Sequence, residues 1–493
     1  MSTRPHILIF NPDQWRGDVL GHMGDPAVHT PTLDRAVTED FVSFRHAFCQ
    51  NPVCTPSRCS FMTGWYPHVR GHRTMYHMLH PERGEPVLLK QLKDSGYCVW
   101  WGGKNDLVPG QDGYAAYCDV KHTAKTNVPG NHDKVFYERR GPRDGDNFYS
   151  FYLGEYPQPT DGQPFQDGDW SHVRGACEFI RGYAGEKPLC VYLPLTYPHP
   201  PYVCERPYYG TTDRGKLPRR IVPPADWGTK PELLRQLVAR QHLSSWTEER
   251  WNELRGTYYD MCMRVDAQFA QVLQALKEAG IYDDTAVLFF SDHGDFTGSY
   301  GLVEKTQNTF EDCLTRVPFL AKPPRGRGVK PRVSEAMVEL IDFTATVYDV
   351  AGIDPGYSHF GRSLWPVVAG ETDALRDAVF CEGGRRPDEE HCKELQSDSS
   401  GNPDGWYYPR LMAQRTGDVG HCAAAMCRTK THKYVRRLNE SDEFYDLARD
   451  PGERANRIGD PAYASAIAAL KDRMLRWYHE TADVVPFATD RRG

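Results

Sequence analysis

Short apolar runs rich in β-branched and aromatic residues recur at 6–10, 97–101, 188–195, 285–290 and 317–321, with helix-like stretches between them. This alternation predicts an α/β fold: a large central mixed, mostly parallel sheet flanked by helices. The clearest helix is predicted around 247–279, where Leu254, Met261, Val265, Phe269, Val272 and Leu276 form one apolar stripe. Thr247 can cap it, Glu248 and Glu249 suit its first turn, and Gly280 ends it. A second is predicted over 85–95, carrying Leu88, Leu89 and Leu92 and closed by Gly96. By contrast, 103–187 and 200–245 are rich in Gly, Pro, Asp and aromatics with little periodicity, and read as long ordered loops that shape a pocket over the sheet. A boundary is expected near 370–376, dividing a large α/β domain (1–374) from a smaller C-terminal α+β domain (375–493) of antiparallel sheet plus helix. The smaller one opens with the strand-like Ala378-Val379-Phe380, and 383–405 is polar enough to form a flexible loop. There is no internal repeat.

Length and composition support one large core and a smaller one: 493 residues, of which 40% are hydrophobic. The formal charge of -7 is spread without long blocks of either sign, so nucleic acid is not an expected partner. No run is long enough for a membrane helix, and the chain enters His6-Ile7-Leu8-Ile9-Phe10 too early for a signal peptide, so no membrane partner and a cytoplasmic location are expected. The 14 cysteines include no C-x-x-C pair, which argues against a zinc ribbon and leaves most of them as small buried hydrophobes.

In open α/β sheets ligands bind beyond the carboxyl ends of the strands, so the residues that follow each apolar run are candidates for chemistry. Asp13 and Gln14 follow the first run, Lys104 and Asp106 the second, His199 the third, Asp292 and His293 the fourth. Singly, an Asp after a strand is most often a turn or cap, and His199 or Lys104 an ordinary loop residue. Together, hard oxygen donors, one imidazole and two cationic or donor groups suit a divalent metal with an oxyanion. Around Cys54 the chain reads as a loop entering a helix, with Pro56 near the first turn and the helix continuing to Gly64. A group at position 54 therefore faces a helix N-terminus, which favours an anion. The alternatives are a buried structural thiol or a reactive thiolate, and a soft thiolate fits poorly beside hard oxygen ligands.

These residues carry a specific resemblance. Cys54-Thr55-Pro56-Ser57-Arg58 fits the C-x-P-S-R signature of the type I, formylglycine-dependent sulfatases of the alkaline phosphatase superfamily, and Thr63-Gly64-Trp65-Tyr66-Pro67 resembles their T-G-x-Y-P. Further matches follow in order: Asp13-Gln14, Thr30-Pro31-Thr32-Leu33-Asp34, Gly103-Lys104, Pro198-His199, Ser291-Asp292-His293-Gly294-Asp295, Lys305, Arg316-Val317-Pro318, Phe444-Tyr445-Asp446-Leu447 and Asp450-Pro451. The resemblance implies that a formylglycine-generating or radical maturation enzyme oxidises Cys54 to formylglycine. It also implies that Asp13, Gln14, Asp292 and His293 hold a metal, calcium with manganese or magnesium as alternatives, which also binds position 54. One hydroxyl of the aldehyde hydrate would attack sulfur, and the other would lose its proton to release sulfate from the covalent ester. Arg58 would orient the hydrate; Lys104, His199 and Lys305 would bind sulfate oxygens, with His199 the first choice and Lys305 the second for general acid. Relatives often read G-K-W-H or G-K-x-H where this chain has Gly103-Lys104-Asn105-Asp106. Asp106, also a substrate-binding candidate, His72 or His77 could therefore be the base for sulfate release, or Asp106 a spectator.

The expected activity is hydrolysis of an aryl or saccharide sulfate. A phosphonate monoester or phosphodiester hydrolase of the same superfamily is the first alternative, and an unmatured homologue that binds sulfated sugars is the second. Aromatic residues in 65–80, 100–117 and 192–209 could stack on a sugar or aryl ring. Trp477, Tyr478 and Pro486-Phe487 could dock on a second subunit, giving a homo-oligomer, or cover their own core.

Overall fold

The computed structural model describes residues 4–130, 133–160, 162–394, 401–417, 419–489 and 491–492. Its strands are β1 (His6–Asn11), β2 (Val42–Phe48), β3 (Cys98–Gly102), β4 (Val120–His122), β5 (Tyr152–Glu155), β6 (Leu189–Pro194), β7 (Tyr202–Cys204), β8 (Thr285–Phe290), β9 (Phe319–Lys322), β10 (Arg332–Glu339), β11 (Val379–Gly383), β12 (Ala424–Arg428), β13 (His432–Arg437) and β14 (Glu443–Asp446). The helices are α1 (Pro31–Glu39), α2 (Cys54–Thr63), α3 (Leu88–Asp94), α4 (Lys134–Arg140), α5 (Gly168–Gly182), α6 (Glu232–Gln241), α7 (Glu248–Glu278), α8 (Asp312–Thr315), α9 (Ile341–Ala351), α10 (Trp365–Ala369), α11 (Tyr408–Thr416) and α12 (Ala464–Thr481).

Eight strands form the central sheet in the order β10-β2-β9-β8-β1-β6-β3-β4. Only β9 runs antiparallel to its neighbours, β2 and β8, so the sheet is mixed and mostly parallel, as expected. Strands buried on both faces need apolar residues at every position, which is why these runs show no polar alternation. In β1, Leu8 and Phe10 enter the core beneath α1, α5 and α7, whereas Ile7 and Ile9 enter the core beneath α2, α3 and α9. Each such side chain contributes roughly 1.5–3 kcal/mol by leaving water. α7 matches its predicted span, and the Thr247 side chain accepts a hydrogen bond from the Arg250 N–H at 3.4 Å.

The expected loop regions contain more regular structure than the sequence reading allowed. α4, α5 and α6 all lie within them. α5 buries Trp170, Val173, Ala176, Cys177 and Ile180 at helical spacing, but Gly168, Gly175 and Gly182 punctuate it like turn residues. Gly175 is there for packing: a Cβ would lie 2.3 Å from His122 Nε2. β2 and β10 escaped notice because each carries charged residues mid-strand; Arg45 pairs with Glu335 across the two strands at 2.7 Å.

A separate antiparallel sheet, β11-β12-β13-β14, is covered by α12. The Trp477 ring stacks on Phe380 at 4.5 Å and meets Tyr66 edge-on at 5.0 Å. Trp477 thus covers its own core, while Val485 and Phe487 are exposed. Within the expected loop 383–405, residues 395–400 lie outside the described residues. No helix among the described residues is long and apolar enough to cross a membrane. The cysteines are free thiols, twelve of them buried and Cys98 and Cys392 half-buried, as their spacing implied.

Candidate active site

β8, β1, β6 and β3 are consecutive in the sheet, so the residues beyond their carboxyl ends meet at one place. Asp13, Asp292 and His293 are completely buried there. Gly103 makes the approach of Lys104 possible: it has φ 128°, and a Cβ on it would lie 2.1 Å from Pro194 O. The Lys104 ammonium then reaches Asp13 Oδ2 at 2.6 Å and Asp106 at 2.9 Å.

Cys54 is the first residue of α2, which ends at Gly64 in a left-handed conformation. Its Sγ lies 3.2 Å from His293 Nε2, 3.3 Å from Lys104 Nζ and 3.6 Å from Asp13 Oδ1. Burial, with Asp13 adding to it, pushes the thiol pKa up to about 12, so the unmodified side chain is not a thiolate. One turn along, Arg58 is fully buried and bridges the two acids, with Nη2 at 2.9 Å from both Asp13 Oδ2 and Asp292 Oδ2. Its Nη1 donates to Asn11 Oδ1 at 3.0 Å and to the Tyr192 hydroxyl at 3.4 Å. Ser57 anchors the same turn by donating to the Asp292 carbonyl at 2.6 Å.

Asp13, Cys54, Asp292 and His293 offer ligand atoms that all lie within 4.8 Å of one another. His293 Nδ1 faces the Gly294 carbonyl at 3.0 Å, which leaves Nε2 turned toward the cluster. Asp292 Oδ2, although beside Arg58, makes no hydrogen bond. A buried carboxylate oxygen without a bond is costly unless something else satisfies it, and a divalent cation fits this donor set. Gln14 stands at the edge of the cluster with φ 69°. Its amide oxygen accepts from Lys305 at 2.6 Å and its amide nitrogen donates to Asp295.

Lys305 links this cluster to His199. Its ammonium donates to His199 Nε2 at 2.9 Å and pairs with Glu304 at 3.0 Å. His199 Nδ1 is satisfied by the Pro200 carbonyl at 2.6 Å. Burial, and then the Lys305 charge, hold His199 well below the usual imidazole range, so it is neutral and accepts the Lys305 proton. His72 and His77 do not join this group: His72 is held between the His77 carbonyl and Glu85, and His77 Nδ1 faces Thr74 and Met75.

The cluster opens into a cavity of about 750 Å³ lined by Cys54, Lys104, Asp106, His199 and Lys305 on one side. Tyr76, Tyr137 and Arg140 also line it, together with Trp406, Tyr407 and Arg410 from beyond β11. The sequence reading missed these last residues. They lie about 350 positions from Cys54 in a segment with no periodic signal, and only the folded chain brings them over the sheet.

A mostly parallel sheet whose strand ends gather buried acids and an imidazole around the first residue of a helix agrees with the resemblance to the alkaline phosphatase superfamily. The family model "Sulfatase" matches residues 5–353, and the chain belongs to the sulfatase family. It is 26% identical to the multifunctional alkaline phosphatase superfamily protein PehA of Trinickia caryophylli, over 98% of this chain and 96% of that one. It is 24% identical to an arylsulfatase of Clostridium perfringens, over 96% and 94% of the two chains. A phosphonate monoester hydrolase from Silicibacter pomeroyi superposes with a TM-score of 0.74 at 24% identity, covering 97% of this chain and 96% of that one, a likeness of fold.

Proposed function

We propose that the protein hydrolyses sulfate monoesters of aryl or saccharide alcohols, with position 54 supplying the nucleophile after a maturation enzyme oxidises Cys54 to formylglycine. The observation that carries this reading is the placement of Cys54 at the start of α2, within 3.2–3.6 Å of His293, Lys104 and Asp13. An oxygen nucleophile suits that setting better than a thiol kept protonated by burial. Asp13, Gln14, Asp292, His293 and position 54 would hold a divalent cation, Ca2+ on the family resemblance with Mn2+ or Mg2+ as alternatives. Such a cation supplies positive charge against the sulfate and nucleophile oxygens.

The remaining roles follow from contacts. Arg58 fixes both acids and the first turn of α2, and so aims position 54. Lys104 and Lys305 place two ammonium groups on the cavity wall, where charge develops on sulfate and leaving oxygens. The proton that a departing alkoxide needs is carried by the Lys305 ammonium on the cavity wall, which neutral His199 orients by accepting from it at Nε2. Asp106, paired to Lys104 on the cavity wall and outside the proposed cation site, is the carboxylate proposed to take the proton released when sulfate leaves.

The test uses protein matured in cells with a maturation enzyme. Peptide mass spectrometry should show the Cys54 peptide about 18 Da lighter, the mark of an oxidised thiol converted to an aldehyde. The same protein should release sulfate from aryl or saccharide sulfates, and Cys54→Ala should not. Faster turnover of a phenyl phosphonate than of the matching aryl sulfate would instead assign it to phosphonate hydrolysis. An unshifted peptide with ligand binding but no turnover would make it a binding protein.

A further inference from the structure

The charged side chains on the cavity wall are paired with opposite charge, with one exception. Lys104 meets Asp13 and Asp106, Lys305 meets Glu304, Arg410 meets Glu304 and Glu394, and Asp404 meets Arg143. Arg140, the last residue of α4, has no carboxylate partner among the described residues, although it is 3% exposed. Its guanidinium lies between two rings, 3.8 Å from the Phe148 centroid and 4.1 Å from that of Trp406. Nε donates to the Phe148 carbonyl at 3.0 Å and Nη1 to the Asp404 carbonyl at 2.7 Å, while Nη2 has no hydrogen-bond partner. Aromatic faces and carbonyl oxygens hold a guanidinium in place without neutralising it. Burial pushes its pKa down only to about 10, so it stays charged at neutral pH.

Arg140 lines the cavity, and a buried cation with an unsatisfied donor is costly to the free protein; an anion that reaches the guanidinium removes that cost. The geometry points to Arg140 as a second anion subsite: the substrate carries, beside the sulfate that is cleaved, a further carboxylate or sulfate group that pairs with Arg140. None of Arg140's contacts is shared with the cluster around Cys54, so this subsite reads the leaving group and not the reacting sulfate. The inference rests on the sulfatase reading above and adds the substrate class to it: sulfate esters of molecules that are themselves acidic.

The test compares three sulfate esters of 7-hydroxycoumarin that carry at C4 a methyl, an acetate or a methanesulfonate group, so that the leaving phenol is nearly the same. Matured protein should show kcat/KM at least tenfold higher for one or both anionic esters than for the methyl ester, and the larger value identifies the preferred anion. Arg140→Met should bring that ratio close to one, and Arg140→Lys should retain part of it. A wild-type ratio near one, or a ratio that survives Arg140→Met, overturns the subsite and leaves the sulfatase reading standing. Failure to hydrolyse any of the three, or any sulfated saccharide, overturns both. Should Arg140→Met not fold, product inhibition of the wild type decides: an anionic phenol should inhibit at least fivefold more tightly than the methyl phenol, by a margin that shrinks as salt is raised. Equal inhibition would overturn the subsite.

Discussion

Arg58 illustrates how one side chain can carry both stability and chemistry. It is the cation that touches Asp13 and Asp292 at once, and neither it nor its partners see solvent. Arg58→Met leaves buried Asp292 without its cation and Asp13 with Lys104 alone, so stability should fall by about 3–5 kcal/mol in the metal-free protein. Urea unfolding with and without a chelator measures this, and added divalent cation should restore part of the loss in the variant. Lys305 acts differently. If it holds the proton for the leaving oxygen, Lys305→Met should slow alkyl sulfates, which leave as poor anions, at least tenfold more than a nitrophenyl sulfate; equal slowing of both would remove it from that role. At this scale the sequence was informative wherever a residue of the candidate site sits next to a strand, because a strand announces itself by its apolar run. Asp13, Lys104, His199, Asp292 and His293 could all be picked out that way. Arg140, Trp406 and Arg410 could not, since nothing local distinguishes them from other surface-type residues.

Elements were legible to the extent that their packing was uniform. α7 and the central parallel strands bury continuous stripes and were read within a few residues. α5 was not, because it carries three glycines, one of which, Gly175, serves close contact with His122, and local reading takes glycine as a break. The α2 terminus offers a test of the opposite case, a glycine that backbone geometry requires. Gly64 has φ 72°, and a Cβ there would lie 2.9 Å from His359 Cβ. Gly64→Ala should cost about 1–3 kcal/mol and show as a lowered melting temperature. α5 and β4 also carry a pH-sensitive contact. His172 and His122 face each other Nδ1 to Nδ1 at 3.0 Å, and burial, with the His122 charge, pushes His172 down to about 3. The unfolded chain then binds a proton near pH 6.5 that the folded chain refuses. This contribution is therefore complete above pH 6.5 and is lost as pH falls toward 3, by up to about 2 kcal/mol at pH 5. Urea midpoints at pH 7 and pH 5 should differ less for His172→Phe than for the wild type.

Across the whole molecule, the two sheets are joined by charge as well as by apolar packing. Asp312 of α8 pairs with Arg428 and Lys433 of the antiparallel sheet at 2.7 Å each, and Trp477 closes that sheet against Tyr66. Trp477→Ala should cost about 3–5 kcal/mol, the range for deleting a buried indole, and calorimetry would show whether the two sheets then melt apart or together. The join matters for activity because the cavity belongs to both: its floor is the strand ends of the large sheet, and part of its wall comes from residues beyond β11.

The burial of Cys54 also sets an order of events. The side chain is 1% exposed, enclosed by Asp13, Lys104, His293 and the body of α2. Another protein cannot seat its own catalytic groups on an atom so enclosed. The modification proposed for this residue would therefore have to precede the closing of a sheet in which β1, at the start of the chain, pairs with β8, which begins at Thr285. On that proposal, synthesis, modification and folding would form a race that runs once per molecule, and a chain that folds first would be locked out of the modified state until it unfolds.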